Sequence, residues 1–193
     1  MNKTSPPPPP GQKQDIVAVV ALLRKNKSFA MAASYDLNIL HPALSTSDDV
    51  ERMTQTQGIQ AVLACLESVR AATAAESTLL ESATRVLCRC LALLPETVAP
   101  VVLRANGVAL VVRALRDGDE NRPVQALQFL GMMAEAGYED SIRAAQGGEL
   151  LVQLLMKEED EVCREAVLAL GKIARASLSC EAILPVGLCL PRL

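Results

Sequence analysis

Four glycines recur along the sequence at spacings close to forty residues. Gly58 and Gly107 are 49 residues apart, Gly107 and Gly148 are 41 apart, and Gly148 and Gly187 are 39 apart. Each glycine is followed by an apolar run, such as residues 150–155 after Gly148. A period of this length indicates a chain built from copies of one supersecondary unit. No copy buries its apolar face alone, so neighbouring copies must stack on one another.

The side chains between the glycines follow helical spacing. Between residues 160 and 175, one helical face is apolar and comprises Val162, Ala166, Ala169, Leu170 and Ile173. The opposite face carries Glu161, Arg164, Leu168, Lys172 and Arg175. Half of the residues are hydrophobic, but only 2% are aromatic and tryptophan is absent, so small and aliphatic side chains must form the core. Such a core suits closely packed helices better than sheets.

Residues 138–177 contain one complete copy of the unit. A short amphipathic run over 139–145 leads into Gly147-Gly148, a Leu-Val-x-Leu-Leu helix follows, and the acidic break 158–160 opens a longer helix. This pattern resembles an armadillo repeat. The resemblance implies an all-α fold, namely a right-handed armadillo-like α-solenoid of about three full repeats with an N-terminal helical cap and a truncated fourth repeat.

Prolines and polar breaks predict the boundaries of these parts. Asp15 is expected to cap a helix over 16–25, and a second helix over 29–40 is expected to end at His41-Pro42. The prediction is a disordered Pro-rich tail over 1–14, capping helices or a decayed repeat over 15–44, and repeats over 45–95, 96–137, 138–177 and, in part, 178–193.

The last residues are apolar where a solenoid usually carries a polar capping repeat. Leu188, Leu190 and Leu193 stand there. Two hypotheses account for them: the sequence is a fragment or variant of a longer solenoid, or a partner covers that face.

Charge and composition exclude several classes of function. A formal net charge of −3 and few aromatic side chains argue against nucleic-acid binding. The longest wholly apolar run, residues 16–23, is too short to span a bilayer. The Pro-rich start lacks the form of a secretory signal, so we expect a cytoplasmic protein, with the nucleus as the alternative.

Catalytic and cofactor motifs are absent from the sequence. It contains no GxGxxG, P-loop, GxSxG or HExxH pattern. The single histidine, His41, precedes a proline and is predicted to be a surface loop residue. The six cysteines form no CxxC pair and are expected to be reduced, buried thiols. We therefore expect no enzyme activity, no metal and no cofactor.

The resemblance also points to a binding face. In armadillo proteins the third helices of the repeats line a concave groove, and importin-like and catenin-like members carry Trp and Asn there at i and i+4. Counting from each glycine identifies six corresponding positions in this sequence. None of them is Trp or Asn, so importin-like clamping of a basic peptide is not expected. With Arg175 they form a mildly basic face, which is either a groove for an acidic or amphipathic partner segment or an ordinary solvated surface. The six positions are Arg85 and Arg89 in the first repeat, Gln128 and Met132 in the second, and Leu168 and Lys172 in the third.

The function implied by the resemblance is a non-enzymatic protein–protein interaction scaffold or adaptor. The alternative is a structural subunit held permanently in a large assembly, for example a ciliary or cytoskeletal one. In the tail, residues 3–9 fit the basic-x-x-Pro-x-x-Pro form, so an SH3-type reader of the tail is a further hypothesis.

Overall fold

A computed structural model describes residues 15–69, 73–117, 124–156 and 160–183. Within these ranges the chain forms eleven helices and no strand, which confirms the all-α prediction. The Pro-rich tail and most of the predicted fourth repeat lie outside the described residues. The helices are α1 Ile16–Asn26, α2 Ala30–Ala43, α3 Ser47–Gln55, α4 Gly58–Glu67, α5 Ala74–Leu93, α6 Pro95–Arg104, α7 Gly107–Asp117, α8 Val124–Glu135, α9 Glu139–Ala144, α10 Gly147–Leu154 and α11 Asp160–Ile183.

Helices α3–α5, α6–α8 and α9–α11 form three successive units of three helices each. The same kind of link joins the first and second helix of each unit. In each link a non-glycine residue adopts the left-handed conformation directly before the glycine that opens the second helix; these residues are Gln57, Asn106 and Gln146. A Cβ on that glycine would lie 2.6 Å from the side chain five residues earlier, whether on Gly58, Gly107 or Gly147. The chain therefore turns tightly enough at these points that only glycine fits.

The third of these glycines is Gly147 rather than Gly148, which corrects the sequence-based period. A Cβ on Gly148 would have nothing within 4 Å, whereas one on Gly147 would meet Ile142. The sequence offers two adjacent glycines, and spacing alone does not distinguish them. The contact with Ile142 does, because it matches the contacts of Gly58 with Met53 and of Gly107 with Val102.

Helices that stand three apart in chain order pack on one another. One row runs through α2, α5, α8 and α11, and a second runs through α1, α4, α7 and α10. Both rows enclose one continuous apolar core that extends from Ile16 to Ala169. Phe129 on α8 is the largest of its fully buried side chains, and α8 packs between α5 and α11.

The two N-terminal helices occupy the places of the second and third helices of a unit, because α1 packs on α4 and α2 packs on α5. Asp15 caps α1 as predicted, accepting a hydrogen bond from the Val17 N–H at 3.0 Å. The predicted end of α2 at His41-Pro42 is wrong, since the helix continues to Ala43. Pro42 lies exposed in the last turn, where the missing N–H costs one hydrogen bond and the Leu44 N–H still closes the turn onto Leu40.

The structure also differs from the predicted boundary at residue 178. Helix α11 runs without a break from Asp160 to Ile183. No glycine or proline occurs between Lys172 and Ile183, so nothing in this segment ends the helix.

A capping box opens α3. The Thr46 hydroxyl accepts from the Asp49 N–H at 3.3 Å, and the Asp49 carboxylate accepts from the Thr46 N–H at 3.0 Å. The same carboxylate also accepts from the Thr46 hydroxyl at 2.8 Å and from the Ser45 hydroxyl at 3.1 Å. These bonds, that from the Thr46 side chain foremost, lower the pKa of Asp49 against the opposing effect of burial.

We expect the Asp49→Asn variant to be less stable than the wild type at pH 7, by about 1 kcal/mol, because a charge-assisted cap is lost. The folded pKa of Asp49 lies below its unfolded value, so its contribution is present above the unfolded pKa of about 3.9. That contribution is lost as the pH falls through the lower, folded pKa. Urea denaturation at pH 7 and pH 3 should therefore show a smaller acid-induced loss in the variant. The exposed neighbour Asp48 provides the control substitution Asp48→Asn, and equal acid sensitivity of wild type and Asp49→Asn would contradict the assignment.

Candidate functional site

Two of the predicted partner-binding residues lie on α5 and are held by contacts within the chain. Arg85 forms an ion pair with Glu81, one helical turn earlier. Arg89 donates a hydrogen bond from Nε to the Leu44 carbonyl, at 2.9 Å, and Leu44 is the C-terminal capping residue of α2. Arg89 thus joins α5 to the end of α2, so at least one of its donors serves the fold.

His41 lies near enough to Arg85 and Arg89 to interact with their charges. It is neither exposed nor in a loop, so the prediction of a surface loop residue is wrong. It lies half-buried in the last turn of α2, the helix that packs on α5. Burial lowers the pKa of His41, and the positive charges of Arg85 and Arg89 lower it further. We call His41, Arg85 and Arg89 the basic cluster. His41 is therefore uncharged at neutral pH, and an acidic group bound there would offset the repulsion between Arg85 and Arg89.

The other predicted cations lie two helices away in the same row. On α11, Lys172 Nζ lies 3.3 Å from Glu135 Oε2 on α8. Arg175 follows on α11 and is exposed. A cleft of about 410 Å³ lies between the C-terminal end of α8, the start of α9 and the middle of α11, and it combines both signs of charge. Its lining consists of Ala134, Glu135, Gly137, Glu139, Lys172, Arg175 and Ala176.

The remaining predicted residues differ in how much surface they offer. Gln128 and Met132 on α8 are half-buried, and Met132 packs against the core. Leu168 on α11 is 50% exposed. The seven residues therefore lie on three consecutive helices of one row, with cations on α5 and α11 and uncharged side chains between them.

Helix α2 adds a fourth member to this row that the sequence reasoning missed. Its buried positions recur in α5 fifty residues later: 33, 34, 36, 37 and 40 match 83, 84, 86, 87 and 90. In that register Tyr35 corresponds to Arg85 and Ile39 to Arg89. Tyr35 is 52% exposed, and Ile39 is half-buried against the core. The fifty-residue correspondence is visible in the sequence, since all of these α2 positions lie within the predicted helix over 29–40.

The titratable groups within the described ranges form no metal-binding cluster. In those ranges no three His, Cys, Asp or Glu side chains are placed to hold a metal ion. Desolvation by burial raises the pKa values of Cys65, Cys88 and Cys90 to about 12. These thiols are protonated at neutral pH, so they do not act as nucleophiles there.

The length and hydropathy of the described helices bear on whether one of them could cross a membrane. No single helix of the described segments is both long and apolar enough to cross a membrane. The bent pair formed by α6 and α7, with 69° between the two helices, reaches the required length and composition only when both are taken together.

Comparison with known proteins supports the fold and leaves function open. Two crystal structures of engineered proteins, both Northeast Structural Genomics Consortium targets, resemble this chain. One has a TM-score of 0.67 at 22% identity, over 83% of this chain and 63% of its own length. The other has a TM-score of 0.67 at 21% identity, over 82% of this chain and 37% of its own length. No protein-family model and no curated protein matches the sequence.

Proposed function

We propose that this chain is an armadillo-like α-solenoid that acts as a non-enzymatic scaffold or adaptor. Its concave face, formed by α2, α5, α8 and α11, binds a segment of a partner protein. The observation that supports this most directly is the basic cluster together with Lys172 and Arg175 on one helix row of a protein whose net charge is −3. A row of this kind offers anchors along the length of an extended or helical segment.

The partner segment is acidic or amphipathic. Arg85 and Lys172 already contact carboxylates of the chain itself, Glu81 and Glu135. Both pairs are partly exposed, and such pairs contribute little to stability. A partner carboxylate can therefore replace them at small cost. The uncharged Met132 on α8 and Leu168, which precedes Lys172 on α11, suit the apolar side of an amphipathic segment.

We expect the triple variant Arg85→Glu, Lys172→Glu and Arg175→Glu to bind this partner at least about tenfold more weakly than the wild type. Arg89 is left unchanged because its Nε hydrogen bond holds the end of α2. Affinity capture from cell extract with mass spectrometry identifies the partner. Calorimetry with the purified partner then gives the affinities, and their decrease with added salt measures the charge contribution.

The matched control reverses three exposed cations on the first helices of the units. Arg52, Arg104 and Arg143 lie on α3, α6 and α9, so their reversal changes the net charge equally at different places. This control should keep the wild-type affinity, and both triple variants should keep the wild-type melting temperature. Equal losses in the two variants would contradict binding at the proposed face.

The alternative, a structural subunit of a large assembly, is supported by a different observation. Every exposed large hydrophobic side chain of the described residues lies at one of the two ends of the helix rows. Apolar surface of this kind marks contact with other proteins. Gel filtration of extract distinguishes the two functions, since a permanent subunit elutes wholly with its assembly whereas an adaptor is also found alone. The side chains are Val17, Leu22, Phe29, Met31, Tyr35, Val152, Met156, Val167 and Leu168.

A further inference from the structure

Helix α11 packs on α8 at a site formed by Leu127, Gly131 and Ala134, which we call the seat. A Cβ on Gly131 would lie 3.0 Å from Lys172 Cδ and 3.7 Å from the Ala169 Cα. The two helices therefore approach closely at this point, and the neighbouring Leu127 and Ala134 on α8 are 0% and 1% exposed. A small residue between two packing side chains makes such an approach possible.

The same seat recurs on α11, forty residues later, and it is empty among the described residues. Gly171 takes the place of Gly131, and a Cβ there would have nothing within 4 Å. Val167 takes the place of Leu127 and is 56% exposed. Ala174 takes the place of Ala134 and is exposed. The α8 side chains are covered by α11, whereas the matching α11 side chains face no helix of the described residues.

At the other end of the rows, one side of the α1–α2 pair is not covered by any residue that the structure describes. Helices α1 and α2 pack on α4 and α5 in the way that α4 and α5 pack on α7 and α8. Ser82 of α5 bonds to Asn38 of α2 at 3.3 Å. Its counterpart in α2, Ala32, is half-exposed and meets no earlier helix among the described residues. On α1, Leu22 is 49% exposed. This pair therefore retains the side that its counterparts use to join the preceding unit.

We propose that α1 and α2 of a second copy of this chain occupy the seat on α10 and α11, so that the two copies associate head to tail. The contact continues the packing that already joins α8 to α11. Charge also favours it: Lys25 and Lys27 are exposed at the end of α1, and Glu149 and Asp160 are exposed on α10 and α11. Apolar surface is matched as well, because Val152 and Met156 lie one turn apart and stand exposed at α10.

This contact joins two different surfaces, so it leaves one open end of each kind on every assembly. Sedimentation equilibrium of the full chain should show a mass that rises above that of one chain as the concentration increases. Gly171→Leu fills the seat, and Leu22→Glu places a charge on the opposite end. Each variant should remain monomeric. Both positions are exposed, so circular dichroism should show wild-type helix content.

The decisive sample is the mixture of the two variants. Gly171→Leu retains an intact α1–α2 end and Leu22→Glu retains an intact seat, so the mixture should form a species of two chains that does not grow further. Ala109→Leu, at an exposed position on α7, should associate like the wild type. A wild type that stays monomeric at every concentration would overturn the proposal, because another segment or partner then covers the seat. A mixture that stays monomeric would overturn the head-to-tail geometry.

Discussion

Replacing Phe129 with alanine is expected to lower the free energy of unfolding by about 3–5 kcal/mol. The ring is fully buried on α8, the helix that packs between α5 and α11. Its removal leaves a cavity between the units, which the aliphatic side chains around it fill only in part. Urea denaturation monitored by circular dichroism measures the loss.

Phe29 supplies the matched control, since it is the other phenylalanine of the chain. It lies 67% exposed at the start of α2. The Phe29→Ala variant should therefore stay within about 0.5 kcal/mol of the wild type. A loss in Phe29→Ala as large as that in Phe129→Ala would be incompatible with this core.

The adjacent glycines Gly147 and Gly148 are expected to respond in opposite directions to alanine. A Cβ on Gly147 would lie 2.6 Å from Ile142 Cγ2 and 3.0 Å from the Ile142 carbonyl oxygen. The backbone oxygen cannot move without disturbing the turn between α9 and α10. We expect Gly147→Ala to be destabilised by about 1–3 kcal/mol, as in other overpacked sites.

Gly148→Ala should instead leave stability unchanged or raise it by up to about 1 kcal/mol. Nothing lies within 4 Å of its Cβ position, and alanine favours a helix over glycine. Thermal melts of the two variants, measured side by side, test which glycine forms the turn. If Gly148→Ala were the destabilised variant, the left-handed Gln146 and the period that it marks would be assigned wrongly.

The helical class and several helix starts follow from the sequence because local signals fix them. Asp15 before an apolar run gives the start of α1, and the glycines give the starts of α4 and α7. Local signals gave the wrong helix end or turn residue where contacts with residues distant in the sequence determine it. Pro42 suggests an end to α2, yet Arg89 from a distant helix bonds to the Leu44 carbonyl just beyond it. The choice between Gly147 and its neighbour likewise depends on the position of Ile142.

Less of the candidate site could be predicted. Counting from each glycine, as the armadillo resemblance implies, selected Arg85, Lys172 and their neighbours, and the structure places these two residues on α5 and α11. The ion pair of Arg85 and the proximity of His41 to both arginines depend on how α2 and α5 lie together. Spacing within one helix carries no information about that packing. Whether a partner binds this row stays a prediction.

The packing of helices three apart also determines how cooperatively the chain holds together. The principal contacts link each unit to the next one only, and none of them joins α1 or α2 to α10 or α11. Stability is then close to a sum of local terms and nearest-neighbour terms, as in a one-dimensional lattice. Units with two neighbours lie in the middle, around α5 and α8, and units with one neighbour lie at the ends. We therefore expect the described end helices α1, α2, α10 and α11 to open before α5 and α8, so that their amide hydrogens exchange with solvent faster than those of α8.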